Sequence, residues 1–270
     1  MTDVNPSDKR DSHRVRDTCH EHDTYREHVP PERLQKLLAG SGAGSRRYCE
    51  ELIRRGRIRV DGVTVSEMGV KVNPGSLIEI DGTPVTIRSE KSADIRYTYV
   101  LLNKPAGIIS SARDQFGRKT VVDLVKDGVP NRVYPVGRLD YGTSGLILLT
   151  DDGDFTYRTT HPKFNAAKKY DVICGAPPGD GEINRLTEGV ELGGGFRTAP
   201  ALVTRDCADP RKITVTIREG KNRQVRRMME AVGLSVRSLR RVAIGKLTID
   251  GLASGEWRFL TREEAYAALE

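Results

Sequence analysis

The chain has 270 residues, 37% of them hydrophobic and 30% charged, which is enough apolar material for one large domain or two modest ones. No apolar run approaches the length of a spanning helix, and the polar, mixed-charge start does not read as a secretory signal, so a cytoplasmic protein is expected. The net charge of +7 leans toward a polyanionic partner, but its distribution matters more than its total.

Residues 1–31 lack periodic hydrophobics, end in Pro30-Pro31 and read as a disordered tail. The tail carries Cys19, His20, His22 and His28 without the apolar anchors a metal site needs, so no metal is expected. The other cysteines, Cys49, Cys174 and Cys207, are scattered, which argues against a disulfide framework. Leu34, Leu37 and Leu38 share a helical face, and Gly40, Gly42 and Gly44 stop that helix. Ser45 is an N-cap candidate for a second helix, Arg46 to Arg55, with Tyr48, Leu52 and Ile53 as its apolar side. Two alternating runs flank Asp61-Gly62, a strong hairpin signal, and strands follow at Leu77–Ile80 and Val85–Ile87 around Asp81-Gly82. Residues 32–88 therefore form a helix–helix–hairpin module, with Ser89 to Asp94 as a linker.

Residues 95–270 alternate strands and helices. Strands are expected at Tyr97–Leu102, Leu146–Leu149, Lys169–Cys174 and Ile213–Ile217. Helices are expected at Val121–Leu124, Lys221–Ala231 and Arg262–Leu269. The pattern predicts an α+β fold with a mixed, mainly antiparallel sheet.

The small module concentrates cations at Arg46, Arg47, Arg54, Arg55, Arg57 and Arg59. With the helix continued to Gly56, Arg46, Arg54 and Arg57 fall near one face. Such a stripe binds phosphates or is a solvated face, and residue types alone do not separate the two. The run Arg33-Leu34-Gln35-Lys36-Leu37-Leu38, then Gly44-Ser45-Arg46-Arg47, then Leu52 to Gly62, resembles the S4-type RNA-binding domain. That resemblance implies RNA binding through the helix pair and hairpin.

The most informative stretch is Pro135 to Gly153, which contains Gly137-Arg138-Leu139-Asp140-Tyr141-Gly142 ahead of an apolar strand. Loops held by rigid strands often carry chemistry, yet on residue types alone Arg138 and Asp140 also read as surface charges at a turn. The full string resembles the catalytic motif of pseudouridine synthases of the RsuA/RluB family. Leu101 to Gly107, His161-Pro162 with Lys168-Lys169-Tyr170, and Glu219 to Met228 resemble further motifs of the same family. The resemblance implies that Asp140 is the catalytic carboxylate, that Arg138 holds an extruded nucleotide, and that Tyr170 stacks on the uracil. It also implies that Arg226 pairs with Asp140 and favours its ionised form. Lys104, Lys221, Arg223, Arg227 and the group Arg237, Arg240 and Arg241 become candidates for phosphate contacts.

Uridine isomerisation retains every atom, so no cofactor is expected. Asp140 acts either as a nucleophile or as an acid–base group, and the sequence does not choose. The implied partner is ribosomal RNA or a ribosome assembly intermediate, with no membrane and a monomer as the default. The motif wording is closer to the large-subunit branch; the small-subunit branch and a non-catalytic assembly factor are the alternatives. A methyltransferase joined to an S4-type module would need a glycine-rich cofactor loop after a strand, and none is found in that context.

Overall fold

A computed structural model describes residues 30–73, 75–87 and 97–270. The expected tail, with its cysteine and histidines, and the Ser89 to Asp94 linker lie outside the described residues, apart from Pro30 and Pro31.

The N-terminal module begins with β1 (Glu32–Arg33), α1 (Leu34–Gly40) and α2 (Arg46–Arg54). Ser45 caps α2, its side-chain oxygen accepting from the Tyr48 amide at 3.1 Å. Then follow β2 (Ile58–Val60), β3 (Val63–Val65), β4 (Lys71–Val72), β5 (Ile78–Ile80) and β6 (Thr83–Pro84). Asp61 and Gly62 both have positive φ, 49° and 83°, as the tight turn between β2 and β3 requires. The order β3-β2-β5-β6 makes a four-stranded sheet. Leu34, Leu38, Cys49, Leu52, Ile53, Ile58 and Ile78 close its core. Two expectations are corrected here. Tyr48 is half exposed, and Cys49 takes its place on the buried face of α2. The last strand is Thr83–Pro84 rather than Val85–Ile87, because only those two residues continue the register with β5.

The second part is built on a nine-stranded sheet. Its elements are β7 (Tyr99–Lys104), β8 (Tyr134–Val136), β9 (Ser144–Thr150), α3 (Gly153–Thr160), a 3-10 turn at Pro162–Phe164, β10 (Lys168–Cys174) and α4 (Asp180–Glu188). They continue with β11 (Leu202–Arg205), β12 (Lys212–Ile217), α5 (Gln224–Ala231), β13 (Val236–Ile244), β14 (Leu247–Thr248), β15 (Trp257–Phe259) and α6 (Arg262–Tyr266). The order is β11-β12-β10-β13-β9-β7-β15, with β14 on β13 and β8 on β9. Every pairing is antiparallel except β13 with β9, as the mainly antiparallel expectation requires.

Both faces of the central strands are covered. On β7, Val100 and Leu102 join one core with Ile147, Leu149, Val172, Met228 and Leu239, while Tyr99 and Leu101 join a second with Leu146, Leu148, Phe155 and Ala265. Continuous apolar runs such as Leu146 to Leu149 follow from this, since a strand buried on both sides does not alternate. Asp152 fixes the second core. It caps α3 through the Phe155 amide at 2.9 Å and accepts the Tyr99 hydroxyl at 2.6 Å.

The helix expected at Val121–Leu124 is absent. Residues 121–128 form turns instead, with Val121, Val125 and Val129 buried against the sheet. Burial of three β-branched side chains, not helical propensity, orders that segment. Among the described residues no helix is long and apolar enough to cross a membrane.

Candidate active site

The sheet forks at one place. Strand β9 pairs with β7 along one edge, but its other edge is shared. Ser144 and Gly145 pair with β13, and Leu148 to Thr150 pair with β8. The loop 137–143 joins β8 to β9 at this fork, and a cleft of about 600 Å³ opens there. Gly145 makes the close approach possible. It has φ +106°, and a Cβ there would lie 2.1 Å from the Arg241 carbonyl oxygen.

Asp140 sits in this loop, half-buried on the cleft wall. Its backbone is fixed from several directions. The Asp140 carbonyl accepts from the Thr143 amide at 3.0 Å. The buried Ser110 hydroxyl donates to the Leu139 carbonyl at 2.8 Å and accepts from the Leu139 amide at 3.1 Å. The Gly107 amide donates to the Tyr141 carbonyl at 2.8 Å. A carboxylate on a loop held this firmly loses little freedom on meeting a substrate.

Arg226 approaches the loop but does not form the expected ion pair with Asp140. From α5 its Nη2 donates to the Gly142 carbonyl at 2.9 Å and lies 3.5 Å from the Thr143 hydroxyl. Its guanidinium therefore braces the loop backbone that carries Asp140. Burial and the neighbouring Arg223 lower the Arg226 pKa, and Asp140 opposes them.

Lys104 also differs from expectation. It is 0% exposed and does not reach solvent, so it is no phosphate contact. Its ammonium donates to the carbonyls of Pro105 at 2.8 Å and Ile108 at 2.9 Å. Burial pushes its pKa down from 10.5 to about 8, with the Asp140 charge working in the opposite direction. Asp140 thus has two cationic neighbours, neither in an ion pair with it.

The cleft floor was only partly legible in sequence. Tyr170 on β10 and Arg241 on β13 are register partners, both nearly buried, and both line the cleft. Lys168, two residues before Tyr170, lines it as well; its ammonium donates to the Ala166 carbonyl at 2.9 Å. Burial, followed by the like charge of Arg241, brings Lys168 down to about 8. Arg241 donates through Nε to the Leu146 carbonyl at 2.8 Å. The grouping of Arg237, Arg240 and Arg241 as one phosphate cluster does not hold. Strand alternation sends Arg241 into the cleft and Arg240 into a separate groove beside Lys169 and Asp171. That alternation was the available signal for Arg241.

Lys221 and Arg223 are exposed at the cleft edge, as is Arg138. Arg227 is half-buried, and its guanidinium bonds the Leu192 carbonyl. In the N-terminal module, Arg46 and Arg47 are exposed with no ion pair among the described residues. Arg54 and Arg55 both engage Glu51. Helix α2 ends at Arg54, so Arg57 leaves the expected stripe and instead bonds Asp81. Among the described residues no group of three or more His, Cys, Asp or Glu side chains is placed to hold a metal.

A carboxylate loop at a forked sheet, a cation-lined cleft and a small helix–hairpin module describe an enzyme that works on RNA. Residues 32–78 match the S4 domain, and residues 98–231 match the RNA pseudouridylate synthase family. A relative from Bacillus subtilis, ribosomal large subunit pseudouridine synthase B, is 45% identical over 86% of this chain and 93% of its own. An uncharacterised RNA pseudouridine synthase of Aquifex aeolicus is 37% identical over 86% of this chain and 91% of its own. A crystal structure of a pseudouridylate synthase superposes with a TM-score of 0.62 at 30% identity, covering 87% of this chain and 99% of that one. The chain belongs to the RNA pseudouridine synthase family.

Proposed function

We propose that this protein converts one uridine of large-subunit ribosomal RNA to pseudouridine, in the cytoplasm, with Asp140 as the catalytic carboxylate. The observation that carries the reading is the placement of Asp140: half-buried, on a loop whose backbone is bonded by Ser110, Gly107 and Arg226, and lining a cleft with Tyr170, Lys168 and Arg241. The choice of large-subunit RNA draws on the 45% identity to the Bacillus subtilis enzyme.

The reaction breaks the bond from ribose C1′ to uracil N1 and forms one from C1′ to C5. N1 ends protonated and the proton on C5 is lost, so the product is an isomer. Asp140 serves at the sugar or the base, as nucleophile or as proton acceptor. The extruded uracil stacks on Tyr170, and Arg138 at the cleft edge holds the extruded nucleotide. Extrusion costs a few kcal/mol, which phosphate contacts offset. Arg46 and Arg47 on the S4 domain, with Lys221 and Arg223 at the cleft edge, supply those contacts.

The test is a gene deletion followed by chemical mapping of pseudouridines in both ribosomal RNAs. One site missing from the large-subunit RNA, restored by the wild-type gene, is the expected result. A missing site in small-subunit RNA would move the substrate to that branch, and an unchanged map would overturn the ribosomal assignment.

A further inference from the structure

Phe116 is the most exposed large hydrophobic side chain among the described residues, at 72%. An exposed phenylalanine alone carries no meaning. The loop that bears it is what calls for an account.

The tip of that loop is internally tied. The Asp114 carboxylate accepts from the amides of Phe116 and Arg118, each at 3.0 Å, and from the Arg118 guanidinium at 2.8 Å and 3.1 Å. The Ser111 hydroxyl donates to the Arg113 carbonyl at 2.7 Å. Arg118 lies over the Phe116 ring, 5.1 Å from its centroid. The ring is therefore held out in water on an ordered turn, with a cation against it.

The base of the loop is fastened to the segment that carries Asp140. Ile109 bridges Thr120, closing the loop. Ser110 then clamps the Leu139 backbone, and Gly107 binds the Tyr141 carbonyl. Tyr141, the residue after Asp140, is itself 61% exposed. The Phe116 loop and the Asp140 loop are thus one bonded unit. Arg113 and Lys119 flank the tip without ion pairs among the described residues, so the tip presents an aromatic face inside a positive surround.

We propose that Phe116 is a stacking platform for a base of the substrate RNA next to the extracted uridine, with Arg113 and Lys119 on the adjoining phosphates. The inference rests on the reading that RNA lies over the Asp140 loop. An aromatic ring backed by a cation and flanked by positive charge suits a nucleobase with its phosphates better than an apolar protein surface. A stacked neighbour also keeps the strand in register while one nucleotide leaves it.

The experiment uses the full chain and an unmodified transcript of large-subunit ribosomal RNA. Phe116→Ala is expected to raise KM by about 5- to 100-fold, the range that loss of one base–aromatic stack produces, and to change kcat less than about twofold. Phe116→Trp should restore KM, and Phe116→Leu should not, because leucine offers no π face. The chain has one tryptophan, so fluorescence of Phe116→Trp can be read against the wild-type Trp257 signal. Quenching of that added signal by the transcript and by polyuridylate is expected, whether or not turnover occurs. Absence of turnover by the wild type would count against the proposed substrate alone. Absence of quenching, an unchanged KM in Phe116→Ala, or full rescue by leucine would overturn the stacking role. A KM defect seen only on ribosomal particles and not on naked RNA would also overturn it, in favour of a protein contact.

Discussion

Replacing Lys104 with methionine removes a buried charge at little change in shape, and the structure sets the size of the effect. The side chain is 0% exposed, and its pKa is pushed down from 10.5 to about 8 by burial. At about 1.4 kcal/mol per pH unit, keeping that charge at neutral pH costs the native state about 3 kcal/mol. The native pKa lies below the unfolded one, so between pH 8 and 10.5 the unfolded chain holds more proton. Wild-type stability from this group therefore rises with pH across that window and is flat below it. Methionine has no such titration. Urea melts at pH 7 and pH 10 should show the wild type gaining about 2–3 kcal/mol relative to Lys104→Met. Other titrating groups are common to both proteins and cancel in the difference. A stability difference that is constant from pH 7 to pH 10 would refute the reasoning, because it would mean Lys104 titrates at its ordinary value.

Four further outcomes follow from the geometry. Gly145→Ala forces a Cβ against the Arg241 backbone at φ +106° and should cost about 3 kcal/mol or more, lowering Tm by about 6–12 °C in calorimetry. Asp152→Ala removes the α3 cap and leaves the Tyr99 hydroxyl without its acceptor; denaturation should show a loss of about 3 kcal/mol. The double variant Arg46→Ala, Arg47→Ala should lower the slope of log affinity against log salt by about 1–2 for RNA binding. Arg57→Ala, whose guanidinium already engages Asp81, should change that slope less in the same titration.

Much of the fold could be read from local chemistry. The Asp61-Gly62 turn, the Ser45 cap and the apolar strand after the Asp140 loop are each dictated by a few neighbouring residues. The Val121 segment was misread because its order comes from burial of valines against a distant sheet, which periodicity does not report. The long strand β13 went unread for a related reason: Arg237, Arg240 and Arg241 made it look like a basic patch, and only pairing with β9 and β10 separates their faces. Lys104 looked like a phosphate contact because nothing local reveals that the turn after β7 folds its carbonyls over the ammonium. Asp140 was visible through its motif, while its brace from Ser110, Gly107 and Arg226 joins residues far apart in the chain.

The most direct test of the account is Asp140→Asn assayed on an unmodified transcript of large-subunit ribosomal RNA. The variant should bind the transcript with Kd within about threefold of wild type, since the exposed cations Arg46, Arg47, Lys221 and Arg223 are untouched. It should form no detectable pseudouridine where the wild type forms one. Pseudouridine formation by Asp140→Asn at a rate near wild type would contradict the assignment of Asp140 as the reacting carboxylate.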